Sequence, residues 1–218
     1  PLGVADLVAF PADADQIAEV VGIAVAHGAP LTPRGKGTGN YGQAIPMPGG
    51  LVLDTSRARA VVEVGDGWIT AEAGAPMAAL EQAARQHGQQ LWMYPSTVHS
   101  TLGGFIAGGS GGTGSIAHGS NHEGFVVALD VVTPASGGEI VHVDGDDALG
   151  YVHNYGTAGI IARATVRLEP ANDWRGLYAS FEDFAGSMSV LQRLAARWAA
   201  DDRVAVLVDS LTVKLVRA

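Results

Sequence analysis

Arg34-Gly35-Lys36-Gly37-Thr38-Gly39-Asn40 places two cations among three glycines in one short run. Glycine tolerates the dihedrals that turn successive backbone amides toward a common point, and Arg34 and Lys36 add full positive charge beside them. Such a run is suited to a phosphate-type anion. Gly37-Thr38-Gly39-Asn40-Tyr41-Gly42 also matches the G-x-G-x-x-G dinucleotide pattern. That pattern must open a helix, and here Gln43-Ala44-Ile45-Pro46-Met47-Pro48 follows instead. A P-loop fails too, because Lys36 is followed by Gly37 rather than by Ser or Thr. A glycine nest without helical context remains.

A second and longer segment, Pro95 to Gly119, is also rich in glycine: Gly103, Gly104, Gly108, Gly109, Gly111, Gly112, Gly114 and Gly119. The apolar residues threaded through it (Val98, Leu102, Phe105, Ile106, Ile116) exclude a Gly/Ser spacer, which buries nothing. The segment reads as ordered and packed, with backbone close to a ligand. A third signature follows at Gly156-Thr157-Ala158-Gly159-Ile160-Ile161. His99 and His118 lie inside the glycine segment and are the candidates for moving a proton near neutral pH. His27, His87, His122, His142 and His153 read as surface or core-satisfied. No His/Asp/Glu cluster has metal-ligand spacing, and no serine sits in a nucleophile elbow.

These segments need elements to hold them. Asp13 caps an amphipathic helix with Gln16 three residues on, Ile17, Val20, Val21, Ala24 and Val25 on its apolar side, and Gly28 closing it. Residues 29–33 form a short strand delivering the chain into the Arg34–Asn40 loop. Strands are expected over 50–54, 60–64 and 68–74, and a helix over 76–87 with Pro76 in its first turn. After the glycine segment come strands at 125–132 and 139–143, joined through Gly137-Gly138, and an alternating strand at 163–169 ending at Pro170. Asp146-Asp147 reads as a solvated turn, and Met77, Trp92 and Met93 as core. Residues 174–181, 182–200 and 203–208 read as a β-α-β unit.

Composition narrows the classes. Hydrophobic residues make up 47% and charged residues 16% of the 218, a globular balance, and the net charge of −9 opposes binding to nucleic acid or an anionic membrane. The absence of cysteine removes disulfides, thiolate metal sites and any cysteinyl cofactor link. No run approaches the ~20 apolar residues of a membrane span, and cytoplasm is the default compartment. The chain lacks an initiator Met and stops at Ala218, so a fragment of a longer protein is expected.

Taken together, Pro33 to Gly39, then Pro95-Ser96-Thr97 with Thr101-Leu102-Gly103-Gly104 and the glycine tail, then Gly156 to Ile161, resemble one family. It is the FAD-linked oxidases of the vanillyl-alcohol oxidase and para-cresol methylhydroxylase superfamily, with glycolate oxidase and D-lactate dehydrogenase among the similar enzymes. The resemblance implies an α+β fold: a PCMH-type FAD-binding domain over 1–170, with α/β lobes at about 1–64 and 65–170. The beginning of a cap (substrate) domain would follow over 171–218.

The resemblance assigns FAD contacts to Arg34, Gly35, Lys36, Gly37, Thr38, Gly39 and Asn40 and to Pro95, Ser96, Thr97, Thr101, Gly103, Gly104, Gly108, Ser110, Gly111, Gly112, Ser115 and Gly119. It adds Gly159, Ile160 and Ile161 as a backbone turn against the cofactor. Members that tether FAD through the first loop carry His where this chain has Thr38, so FAD is expected to be noncovalent. Where many relatives have an acidic residue and a Leu, this chain has Tyr155 and Ala158. The implied activity is oxidation of a small alcohol or 2-hydroxy acid by hydride transfer to flavin N5. Oxygen, a quinone or an electron-transfer protein is the acceptor. The alternative is an FAD-binding module or subunit whose substrate residues come from another polypeptide or from the remainder of the chain.

Overall fold

The computed structural model describes residues 3–47, 49–173 and 181–198. It is an α+β fold built on two sheets. The first is parallel, with β1 (Leu7–Ala9), β2 (Leu31–Arg34) and β3 (Leu51–Asp54) in the order β1-β3-β2. Helix α1 (Ala14–Ala26) makes the crossover from β1 to β2. Asp13 caps it by accepting the Gln16 N–H at 2.8 Å, while Gln16 Oε1 accepts the Ala12 N–H at 3.0 Å. Ala14, Ile17, Ala18, Val21 and Ala24 form its buried stripe, the 3-and-4 spacing expected of a helix with one apolar side.

The second sheet is antiparallel, in the order β4-β5-β9-β7-β8. Its members are β4 (Val61–Gly65), β5 (Trp68–Glu72), β7 (Val126–Val132), β8 (Ile140–Asp144) and the long β9 (Ile160–Pro170), whose far end also pairs with β6 (Gln89–Leu91). The chain changes sheet between Asp54 and Val61. Helices α2 (Met77–Gln86) and α3 (Leu102–Gly108) belong to the large core cluster of this sheet, in which Ile69, Met77, Leu80, Leu102, Phe105, Ile106, Leu129 and Val166 are buried. Phe105 meets Phe125 edge-on, with ring centroids 5.9 Å apart. Short helices α4 (Ser115–His118) and α5 (Gly145–Leu149) follow in the connections, and α6 (Phe184–Trp198) comes last. No described helix is long and apolar enough to cross a membrane.

Some elements differ from the sequence reading. The glycine segment holds two helices where only packed backbone was expected: Thr101 caps α3 by accepting the Gly104 N–H, and burial of Leu102, Phe105 and Ile106 outweighs glycine's poor helix propensity. β1 and β6, three residues each, carry too little pattern to be seen. Asp146-Asp147 sits in the first turn of α5 rather than in an open turn. Ile160 and Ile161 open β9 instead of forming a turn, because both pair with β7, opposite Val132 and Val131. Met77 and Met93 are core, as expected, and Trp92 is half-buried. Of the expected β-α-β unit, the helix is present as α6. The strands read over 174–181, Phe181 apart, and over 203–208 lie outside the described residues.

The two sheets are tied at Glu72. This buried carboxylate, at the end of β5, accepts the Ala14 N–H at the start of α1 (3.1 Å) and the Ala60 N–H just before β4 (2.9 Å). Gly74 follows, donating to Ala58 O, with no room for a Cβ against the Thr55 carbonyl. Glu72→Gln turns one of these acceptors into a donor facing an N–H. It is expected to lower folding stability by about 1–3 kcal/mol, the cost of an unsatisfied buried donor. Urea unfolding should show this as a lower midpoint at unchanged slope.

Candidate functional site

The three signatures, far apart in sequence, border one open cleft of about 410 Å³. Arg34, Gly35, Lys36, Gly37, Thr38, Gly39 and Asn40 line it from the loop that leaves β2. Pro95, Ser96, Thr97, Thr101, Gly103, Gly104, Gly108, Ser110 and Gly111 line it from the glycine segment, and Gly159, Ile160 and Ile161 from the start of β9.

The loop presents unused donors. Among the described residues, the backbone N–H groups of Gly35 through Asn40 donate to no protein acceptor. Arg34 has only a long 3.9 Å contact to Asp54 and is half exposed, and Lys36 has no ion pair among the described residues. In a chain of net charge −9 this is a local basic spot with unspent amide donors beside it. The Arg34 guanidinium lies where a Cβ on Gly37 would fall (2.7 Å), so Gly37 makes room for a folded-back cation.

By contrast, the start of α3 is already satisfied. Leu102 and Gly103 donate to Ala75 O and Ala73 O, and Gly104 donates to the Thr101 hydroxyl. What α3 offers the cleft is bare backbone. A Cβ on Gly108 would meet nothing within 4 Å, and one on Gly104 would meet only Thr101 Oγ1 at 2.9 Å. These two cleft-lining positions, one helical turn apart, leave a strip that another molecule can approach to backbone distance.

Five residues singled out from sequence do not line the cleft. A Cβ on Gly112 would collide with Tyr94 O, where the chain crosses itself through the Tyr94–Thr113 bridge, and the Ser115 hydroxyl accepts the Gly112 N–H at 2.8 Å. Gly119 has φ +75° and leaves space for the Glu123 carboxylate, which accepts the Ser120 N–H. That N–H, above all, holds the Glu123 carboxyl below its usual range. The capping bond is therefore present at neutral pH and lost as acid passes the lowered value. His99 is exposed. His118 stacks on Trp92 with centroids 4.4 Å apart and meets Glu169 at 3.0 Å, so it is occupied elsewhere.

The cleft also has members the sequence reading left out. Ser100, 6% exposed, bonds to Thr38 Oγ1 and Thr97 Oγ1, each at 2.8 Å. Its partner Thr38 is 62 residues away, so nothing local marks it. Phe105 and Ala73 contribute apolar surface. Tyr155 and its neighbour His153 carry left-handed backbone (φ 55° and 57°), unusual for residues with a Cβ. The loop is held there because Tyr155 N–H and His153 N–H donate to Ala107 O and Ile106 O at the end of α3. Tyr155 lines the cleft; His153 packs over Gly109.

Comparison with known proteins identifies the family. The family described as FAD binding domain matches residues 5–144. An FAD-linked oxidoreductase of Mycobacterium tuberculosis is 30% identical over 89% of this chain and 44% of its own length. The glycolate oxidase subunit GlcD of Bacillus subtilis is 30% identical over 88% of the chain and 43% of its length. D-lactate dehydrogenase of Archaeoglobus fulgidus is 28% identical over 88% and 45%. The chain thus spans less than half the length of these relatives. An alkyldihydroxyacetonephosphate synthase structure shares the fold, with a TM-score of 0.74 at 23% identity over 87% of this chain and 39% of that one. With its basic loop, bare α3 strip and β9 edge gathered on one cleft, the chain belongs to the FAD binding domain family, in its PCMH-type form.

Proposed function

We propose that this chain is the FAD-holding part of an FAD-dependent oxidoreductase acting on a small alcohol or 2-hydroxy acid. The observation that carries the reading is the run of free amides at Gly35–Asn40, with Lys36 and Arg34 beside it, sharing one cleft with the bare strip of α3. The donor set fits a diphosphate, and the strip at Gly104 and Gly108 fits a flat or extended group pressed on backbone. When bound, FAD supplies a hydride acceptor at flavin N5. The chain's own residues bind and orient: loop amides and cations on the diphosphate, Thr97 and Thr101 as hydroxyl partners, and Phe105, Ile160 and Ile161 as apolar surface that excludes water. Two relatives named for glycolate and D-lactate support a 2-hydroxy acid as substrate. The electron acceptor is oxygen, a quinone or an electron-transfer protein. Residues 1–170 form the FAD-holding domain in this reading, and 171–218 begin a cap over the substrate. Noncovalent attachment is supported by Thr38, whose hydroxyl is engaged by Ser100 and, among the described residues, has no base hydrogen-bonded to it.

A second reading is favoured by what the cleft lacks. Among the described lining residues the ionisable side chains are Arg34, Lys36, Tyr41 and Tyr155, with no imidazole or carboxylate to take a substrate proton. The chain would then be an FAD-binding module whose substrate residues come from another polypeptide or from further sequence. Anaerobic mixing of the FAD-loaded chain with D-lactate and glycolate separates the two. Bleaching of the yellow colour supports the self-sufficient enzyme, and colour without bleaching supports the module.

Gly108→Ala puts one methyl into the cleft without touching the core. Folding stability should change by less than about 1 kcal/mol, while FAD affinity falls at least tenfold, about 1.4 kcal/mol. Equal FAD affinity in the variant and the parent would sink the placement of the cofactor on α3. Acid precipitation of the loaded chain should leave all flavin in the supernatant; flavin retained in the pellet would contradict noncovalent binding.

A further inference from the structure

The hydroxyls of Thr38, Ser100 and Thr97 are joined in one chain, and their protons can be counted. Ser100 Oγ donates to Thr97 Oγ1 at 2.8 Å. A serine hydroxyl has a single proton. With that proton spent on Thr97, the 2.8 Å contact between Thr38 and Ser100 must have Thr38 as donor. Thr97 Oγ1, having accepted, keeps its own proton, and among the described residues it has no acceptor for it. Thr97 is exposed at the cleft, whereas Ser100 is buried.

We propose that Thr38 and Ser100 orient the Thr97 hydroxyl so that its unspent proton is offered to the cleft, with Ser100 as the positioning residue. Thr97 has one lone pair taken by Ser100 and its proton unspent, and toward an anionic oxygen, which only accepts, that proton is what it offers. Each link polarises the next, so the terminal proton is a better donor than that of an isolated threonine. Its acceptor is a diphosphate oxygen. Thr38 lies within the loop of free amides, and Thr97, two 2.8 Å contacts away from it, lines the same cleft. The contact also bridges the loop after β2 to the glycine segment, so a diphosphate would close onto both at once.

The inference rests on the FAD reading of the cleft. Its test is a double-mutant cycle on the whole chain, with FAD titrated by flavin fluorescence and ADP as the competing flavin-free diphosphate. Thr97→Val should raise the dissociation constants of FAD and ADP alike by about tenfold or more, as expected for a lost donor to a charged oxygen. Ser100→Ala should raise them less. The double variant should match Thr97→Val alone, because Ser100 acts through Thr97. A merely structural role for Ser100 gives multiplying effects instead, and that result overturns the proposal, as does an unchanged constant in Ser100→Ala. If Ser100→Ala fails to fold, Thr38→Val cuts the same chain from its other end and enters the same cycle. An effect on FAD without one on ADP overturns the diphosphate as acceptor. Failure of the parent chain to bind FAD at all overturns the FAD reading itself, a result separable from an additive cycle in a parent that binds.

Discussion

Everything about the cleft depends on one buried carboxylate. Glu72 ends a strand of the large sheet, yet its two oxygens accept from the first turn of the helix that covers the small sheet and from the residue leading into β4. A carboxylate taken out of water must be hydrogen-bonded on both oxygens or it destabilises the fold that contains it. The geometry of the junction is therefore narrowly defined. From it the backbone continues through Ala73 and Ala75, whose carbonyls receive the first amides of α3. The position of α3, and with it the bare strip, is inherited from the junction. So is the position of β2, since α1 leads directly into it.

That inheritance decides where an anion can sit. A helix N-terminus is ordinarily the first place to look for phosphate binding, and α3 starts beside the cleft. Its leading N–H groups are consumed by Ala73, Ala75 and Thr101, so the helix has little left to offer. The loop after β2 is the reverse case: irregular backbone, glycine-rich, with amides that no protein group takes. Glycine accordingly does separate jobs along the chain. In the loop it frees amides and clears room for Arg34. On α3 it removes side chains. At Gly112, Gly114 and Gly119 it lets the chain pack on itself, and no ligand is needed to account for it.

This division shows why the sequence was legible in some places and not in others. Helix α1 could be read because its cap, its stripe and its closing glycine are all local. The three signatures could be placed on one site because their order and composition carry a family resemblance. The glycine segment was harder. Its composition argues against helix, and only the burial of Leu102, Phe105 and Ile106, a tertiary fact, overrides that. Composition likewise could not separate glycines that face the cleft from those that face Tyr94 or Trp92, because the difference lies in what sits opposite each Cα. Ser100 was invisible for the same reason: its partner comes from the other loop.

The left-handed residues His153 and Tyr155 bear on how the mouth of the cleft is held. Neither conformation is one that a side-chain-bearing residue holds on its own, and each is kept by an amide bonded to a carbonyl at the C-terminal end of α3. Those carbonyls are aligned only once the helix exists. The shape of the loop is therefore coupled to α3, which supplies both of the carbonyls that hold it. Because Tyr155 lines the cleft and its N–H donates to Ala107 O, amide exchange at Tyr155 would report on local opening at the mouth of the site.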